Sequence, residues 1–454
     1  MLAHMDWIRA QFPALSRTVG GQPVAFLDGP GGTQVPQSVI DAITRYLSTS
    51  NANAHGAFAT SHRTDWIIQE AHRAMADFLG CDASEIVFGS NMTTLTFGFS
   101  RAIGRQLRTD DEILVTCLEH DANVAPWLAL EEKGVSVRTV DINPQDCTLD
   151  LADFERKLSD RTRLLAITYA SNAVGTINDL PSIIRAAHAV GASVFVDAVH
   201  YAAHAPIDVR ALNCDFLVCS PYKFFGPHVG VLYGRRAELE RLFPYKVRPA
   251  LDTVPSRWET GTQNHEGMAG AIATINYLAA LGERFSSGVS SSGALGNRNL
   301  GNRTLGNSIS GSGISIRDTA DRRAAVTTAM REIHRYGQQL CGPLIEGLEA
   351  IPGVEIYGIT TPSQMDWRVP TVAIRMGDKA PMEIARSLGQ QGIYIWHGNF
   401  YALNLTRRLG IEEKGGLLRI GLVHYNTLAE VNRLLTALGR ICKVENRGKL
   451  KAAI

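Results

Sequence analysis

Two stretches decide the fold: SVFVDAVHYAAHAPIDV, residues 193–209, and FLVCSPYKFFGPHVGVLYG, residues 216–234. Each opens on a short run of β-branched and aromatic residues, Val194–Val196 and Phe216–Cys219. Each run then meets polar residues, Asp197 in the first and Ser220 to Lys223 in the second. Short apolar runs bounded in this way read as buried strands. Working outward, Glu85–Phe88, Glu112–Cys117, Val135–Val140 and Leu164–Tyr169 are further strands. Helical patterns running to Arg105 and at Asn123–Lys133, Leu149–Leu158 and Leu180–Val190 alternate with them. Strand and helix in alternation predict an α/β protein with a doubly wound, mostly parallel sheet covered on both faces. This large domain spans residues 26–285. Ligands of such sheets bind outside the carboxyl ends of the strands, so the residues that follow each strand are the first candidates for chemistry.

The rest of the chain divides around that unit. Residues 286–317 are rich in Ser, Gly and Asn, with LGNRN, LGNRT and LGNS in succession. Three such short copies cannot bury a core, so the segment reads as a disordered insertion without a catalytic role. After it come an amphipathic helix at Arg317–Ala350, strands at Gly353–Tyr357, Arg368–Arg375 and Gly416–Val423, and a helix at Leu428–Arg440. These predict a smaller C-terminal α+β domain over residues 318–446, with residues 1–25 as an arm packed on it and residues 447–454 as a tail.

Composition narrows the function. The 454 residues carry 45 Lys+Arg against 44 Asp+Glu, a formal net charge of +1. That balance supplies neither a nucleic-acid-binding face nor a basic membrane anchor. The start of the chain lacks the apolar run of a signal peptide, and no stretch is long and apolar enough to cross a bilayer. Seven scattered cysteines without a C-x-x-C pair predict reduced thiols in a cytoplasmic protein, not a disulfide frame or a metal site. Phosphate-loop, dinucleotide and zinc-protease motifs do not occur.

Asp197 and Lys223 each stand at the ligand edge of the predicted sheet. Alone, Asp197 is a helix cap and Lys223 a solvated amine. Together they meet one chemical need: an amine able to form a Schiff base, and an anion able to keep a pyridine nitrogen protonated. The order Asp197-x-x-His200 … Ser220-Pro221-Tyr222-Lys223 resembles the cofactor signature of class-V aminotransferases, in the branch of cysteine desulfurases and selenocysteine lyases. FLDGPGGTQVP (26–36), CLEHDANVAPW (117–127), TYASNAVGTI (168–177), WETGTQN (258–264) and LRIGLVHYNT (418–427) extend the resemblance over most of the chain.

The resemblance implies a fold-type I enzyme using pyridoxal 5′-phosphate (PLP) and acting on a small α-amino acid as a homodimer with shared active sites. It assigns Lys223 to the covalent link and to base catalysis, and Asp197 to the pyridinium nitrogen. His120 is to stack on the ring, and Asn172 and His200 are to lie near its phenolic oxygen. Met92 and Thr93, at a helix N-terminus, are to receive the phosphate, helped by Ser220 and Tyr222. Thr262 is to come from the neighbouring subunit. Arg419 is to clamp the substrate carboxylate with its planar fork, and His55 belongs to the substrate region.

One part of the pattern breaks. Desulfurases carry a mobile nucleophilic cysteine on the loop before the carboxylate-binding arginine. Here that region reads GIYIWHGNFYALNL (392–405), with Tyr401 in the place of the cysteine and Trp396 in a place often held by arginine. A phenol cannot accept sulfur as a persulfide, since that requires a thiolate. The expected reaction is therefore β-elimination of the C–S lyase type. The alternatives are transamination, or desulfuration through another thiol. PLP-sensing transcription regulators share the fold, but they add a basic recognition helix, which the charge balance does not support.

Overall fold

The computed structural model describes residues 1–286 and 319–452. Its main sheet has seven strands: β1 (Ile86–Gly89), β2 (Glu112–Thr116), β3 (Ser136–Val140), β4 (Thr162–Thr168), β5 (Ser193–Asp197), β6 (Phe216–Cys219) and β7 (Gly230–Gly234), ordered β1-β7-β6-β5-β4-β2-β3. From β3 to β6 neighbouring strands are parallel, whereas β7 runs antiparallel to both β6 and β1. All the predicted strands of this region are present, within two residues of their predicted ends. β7 was not predicted, because GVLYG, framed by glycines, also reads as a turn. Gly230 is needed there: a Cβ on it would lie 2.3 Å from the backbone carbon of Asn91. The missing side chain lets β7 pass directly beneath the start of the helix after β1.

The helices used below are α1 (Met5–Ala10), α2 (Ala59–Leu79), α3 (Met92–Ile103), α4 (Leu180–Ala189), α5 (His265–Ser286), α6 (Thr319–Glu349) and α7 (Leu428–Ala452). The helix expected at Asn123–Lys133 is instead three short turns, Asp121–Asn123, Ala125–Leu128 and Ala129–Lys133. Pro126 explains the break, since its ring lacks an N–H and clashes with the carbonyl four residues back. Ser286, read as the start of the insertion, is the last residue of α5. The remainder of that predicted insertion lies outside the described residues. Of the predicted tail, residues 447–452 continue α7.

A second sheet is antiparallel, with strands β8 (Val354–Tyr357), β9 (Thr371–Met376), β10 (Trp396–Gly398) and β11 (Leu417–Gly421) in the order β8-β9-β11-β10. The strand expected from Arg368 begins only at Thr371. Pro370 cannot donate to a ladder, and the buried Arg368 guanidinium is taken up by the carbonyls of Ile359, Val174 and Thr371. The N-terminal segment ties the sheets together. Ala25–Phe26 pairs in parallel with Ile393–Tyr394, and Arg9 on α1 reaches the Tyr425 carbonyl at 2.7 Å and Glu430 at 3.0 Å. Phe12 packs edge-on against Phe225, Tyr277, His424 and Tyr425.

α6 is locked to α2 by charge. Arg322 is 1% exposed, and its guanidinium lies 2.5 Å from Glu70 and 2.6 Å from Asp77, both on α2. Arg323 beside it donates to the carbonyls of Asp77 and Phe78, where α2 ends and a cation is favoured. Removing one member of a buried ion cluster leaves the others charged and unpaired. Arg322→Met is therefore expected to lower unfolding stability by about 3–5 kcal/mol at neutral pH, read from the denaturant midpoint. A loss below about 1 kcal/mol, the range of a surface pair, would show that the cluster does not anchor α6.

Candidate active site

The carboxyl ends of β2, β4, β5 and β6 face the N-terminus of α3 across a cavity of ≈ 100 Å³. Among its lining residues are Met92, Thr93, His120, Asn172, Asp197, His200, Ser220, Tyr222 and Lys223. Nine of the candidate residues therefore share one space. Asp197 is the last residue of β5 and buried; its Oδ1 accepts the Val199 N–H at 2.9 Å. Lys223 closes the turn after β6, and its amine donates to the Pro30 carbonyl and lies 4.8 Å from the centre of the Tyr222 ring. His120 follows β2 and caps the next turn, Nδ1 accepting the Ala122 N–H at 3.0 Å. That bond places the ring proton on Nε2.

At the start of α3, Asn91 takes the Thr94 N–H through its side chain at 2.8 Å. The N–H groups of Met92 and Thr93, in the unpaired first turn, remain for a ligand. His200 is buried, with Nε2 3.0 Å from the Thr371 hydroxyl. Asn172 donates Nδ2 to the Phe400 carbonyl at 2.9 Å, while its Oδ1 is buried without a partner. Tyr222 stacks on His228 at 4.7 Å.

Burial sets the charge states. It pulls the Lys223 amine down to about 7, with Arg419 adding to the fall and Asp197 opposing it. It lifts Asp197 to about 6 against the Val199 N–H and Lys223. It brings His120 down to about 4, helped by Lys223 and Arg419, and holds His200 well below the usual imidazole range. Both histidines are therefore neutral at pH 7.

Arg419, on β11, stands beside the cavity. It is buried, Nη1 donates to the Asn172 carbonyl at 2.9 Å, its guanidinium lies 4.2 Å from the Phe400 ring centre, and Nε has no partner. Burial lowers it to about 9, opposed by Asp28 and Tyr222, so it remains a cation at neutral pH. The segment carrying Tyr401 is pinned. Asp121 N–H donates to the Tyr401 carbonyl at 2.8 Å, Asn399 Oδ1 takes the Tyr401 N–H at 3.0 Å, and the Tyr401 ring stacks on His120 at 5.3 Å. Phe400 and Tyr401 have φ of +55° and +58°. Trp396 lies against the Gly29–Gly31 turn, where a Cβ on Gly31 would meet its indole nitrogen at 2.1 Å.

Two candidates lie elsewhere. Thr262 is exposed and lines a separate groove with Thr94 and Tyr245. His55, also exposed, pairs with Asp65 at 3.1 Å. Sequence reasoning missed Pro30, which contributes a carbonyl that any residue could supply. It also missed Asp28, whose buried Oδ1 has no partner and whose carboxyl burial lifts to about 6. Glu119 was missed as well: it joins the ends of β2 and β4 by accepting from Thr116, Asn123 and the Thr168 N–H, each at 2.7 Å. Its place directly before His120 was the available signal.

The residues present suit PLP. The cavity offers free N–H groups at a helix N-terminus for a phosphate, a carboxylate at its floor for a ring nitrogen and an amine of lowered basicity for an aldehyde. Three buried polar atoms beside it, Asn172 Oδ1, Arg419 Nε and Asp28 Oδ1, await partners. The model of the class-V aminotransferase family matches residues 25–288 and 323–434. A cysteine desulfurase of Serratia proteamaculans is 31% identical over 97% of this chain and 98% of its own. Among solved structures, an apo cysteine desulfurase from Thermococcus onnurineus aligns with a TM-score of 0.79 at 25% identity, over 96% of this chain and 98% of its own. An S-sulfonic acid form of an Escherichia coli cysteine desulfurase gives 0.77 at 25% identity, over 97% and 98%. The chain belongs to the class-V aminotransferase family and is a PLP-dependent enzyme of fold type I.

Proposed function

We propose that this enzyme is a C–S lyase that cleaves a small, cysteine-like α-amino acid by β-elimination, releasing the thiol or sulfide and an aminoacrylate that water hydrolyses to pyruvate and ammonia. The observation that carries this reading is the absence of a thiol from the cavity: no cysteine is among its lining residues. Cys117, the cysteine closest in sequence to His120, is buried with Phe400 and Ala402, and burial pushes its thiol up to about 12. A thiol so placed is neither ionised nor accessible as a nucleophile. The cysteine position of the loop holds Tyr401, 70% exposed over His120.

When bound, PLP supplies an electrophilic carbonyl carbon and a ring that draws electrons from the substrate Cα. Lys223 would hold that carbon, with Asp197 at the ring nitrogen and His120 across the ring face. His200 and Asn172 would serve the phenolic oxygen; with Nδ2 engaged by Phe400, Asn172 presents an acceptor. The N–H groups of Met92 and Thr93, with the hydroxyls of Thr93, Ser220 and Tyr222, would receive the phosphate. Arg419 offers an unused Nε–H to a carboxylate, and Asn172 and Asp28 offer unused acceptors to an ammonium. That complement matches both ends of an α-amino acid. Lys223, with its basicity lowered to about 7, is unprotonated in about half of the molecules at neutral pH and can then take the Cα proton. As the electron pair of the Cα–H bond becomes the second bond of a Cα=Cβ double bond, the Cβ–S bond breaks and sulfur leaves with its electrons.

A second reading follows from the relatives, which carry the name cysteine desulfurase. Desulfuration here would require a thiol from outside the cavity. In either reading the enzyme is a cytoplasmic homodimer, the dimer being supported by exposed apolar side chains on Phe58, Phe243, Tyr245, Val247 and Leu251. Thr262 and His55, outside their own cavity, are then free to serve the partner's.

Product identity separates the readings. Purified PLP-loaded enzyme given L-cysteine with a thiol reductant is expected to yield pyruvate and sulfide in equal amounts; alanine, with sulfide released by the reductant from a persulfide, would instead establish desulfuration, and neither product would favour transamination. Arg419→Ala is expected to reduce kcat/KM by the equivalent of about 2–5 kcal/mol, chiefly through KM. An unchanged KM would take Arg419 out of the substrate site.

A further inference from the structure

The turn that carries Lys223 is gripped from one side by a single residue. Thr33 is buried in the loop after Gly32. Its N–H donates to the Tyr222 carbonyl at 3.1 Å, and its hydroxyl donates to the same carbonyl at 3.2 Å. The same hydroxyl accepts the Phe225 N–H at 2.8 Å. Thr33 thus bonds the residue before Lys223 and the second residue after it. The loop also reaches the lysine's far end, because Pro30 provides the carbonyl that takes the Lys223 amine.

The grip matters because Phe225 has φ of +75°, a region that bulky side chains rarely adopt. Three restraints keep it there. Its ring packs against His424 at 4.3 Å and Phe12 at 6.0 Å, the N–H groups of Phe224 and Gly226 on either side donate to the Pro221 carbonyl at 2.8 and 2.9 Å, and its own N–H is caught by Thr33. The loop is itself fixed. Gly32 has φ of +148°, and a Cβ there would stand 3.3 Å from the Tyr222 ring, while the Gln34 N–H donates to the Tyr425 hydroxyl at 3.2 Å.

We infer that Thr33 is the positioning residue for Lys223: its hydroxyl, bridging the Tyr222 carbonyl and the Phe225 N–H, sets the turn from which the amine reaches into the cavity. The inference rests on Lys223 being the point of PLP attachment. Without the hydroxyl, the Phe225 N–H is buried and unpaired. The left-handed residue then keeps its ring contacts and the flanking bonds to Pro221 but loses the link to the Gly32–Thr33 loop, and the turn can shift and carry the amine away from Pro30. Valine matches threonine in shape but can neither donate nor accept, whereas serine does both.

The test removes PLP from the purified holoenzyme and follows its recapture by visible absorbance across pH. Only the unprotonated amine attacks the aldehyde, so recapture is slow below the amine's pKa and levels off above it. In the wild type this midpoint is expected near 7. In Thr33→Val, recapture is expected to slow roughly ten- to hundredfold. Its midpoint moves up toward that of a solvated lysine, and kcat of the loaded enzyme falls with KM little changed. Thr33→Ser keeps the wild-type behaviour, and Thr33→Ala repeats the loss if the valine variant folds poorly. Wild-type rate and midpoint in the valine and alanine variants overturn the inference, even if their melting temperatures fall. A Lys223→Ala control that recaptures PLP like the wild type would instead overturn the Lys223 assignment itself.

Discussion

An enclosed lysine amine is the constraint on which the rest of this site depends. Removing an ammonium from water is costly unless it is paired or loses its proton. Here the surroundings favour loss of the proton. Pro30 offers one carbonyl, Arg419 contributes a second positive charge, and Asp197, though near, is itself lifted by burial. The result is an amine available near neutral pH at the edge of a sheet. Each of the other features can be read as what fixes that amine's position or supplies the groups that act with it.

Those groups come from both sheets. Asp197, His120 and Lys223 stand at strand ends of the parallel sheet, while α3 presents its N-terminus because Gly230 lets β7 run close beneath it. Arg419 arrives from the antiparallel sheet and bonds the Asn172 carbonyl across the boundary. A ligand that touches both Lys223 and Arg419 therefore bridges the two sheets. The Arg322 cluster and the contacts of Phe12 and Arg9 hold the same boundary away from the site.

Much of this was legible before any coordinates. Strands such as Phe216–Cys219 are continuous apolar runs because both faces of the sheet are covered, so their ends, and Asp197 and Lys223 on them, stand out. Thr33 and Pro30 did not stand out. They act through backbone groups and a hydroxyl that, in a loop, says nothing of its partner. The consecutive left-handed residues Phe400 and Tyr401 were equally hidden, since neither is the glycine that usually marks such a turn. Pro126 was visible, yet the apolar period around it outweighed its effect in the reading of Asn123–Lys133. Thr262 and His55 came from resemblance alone, and a single chain leaves both outside the cavity.

The pinned segment around Tyr401 gives the site its character. Its carbonyls are tied to Asp121 and Asn172, and its aromatic rings lie on His120 and beneath Arg419. The cavity beside it is lined by an amine, a carboxylate and two histidines but by no cysteine, which is what the proposed elimination through Lys223 rests on. The most direct measurement is reductive trapping: the PLP-loaded enzyme is treated with borohydride, digested and mapped by mass spectrometry. A pyridoxyl group is expected on Lys223 and on no other lysine. A pyridoxyl group on a different residue, with Lys223 unmodified, would contradict it.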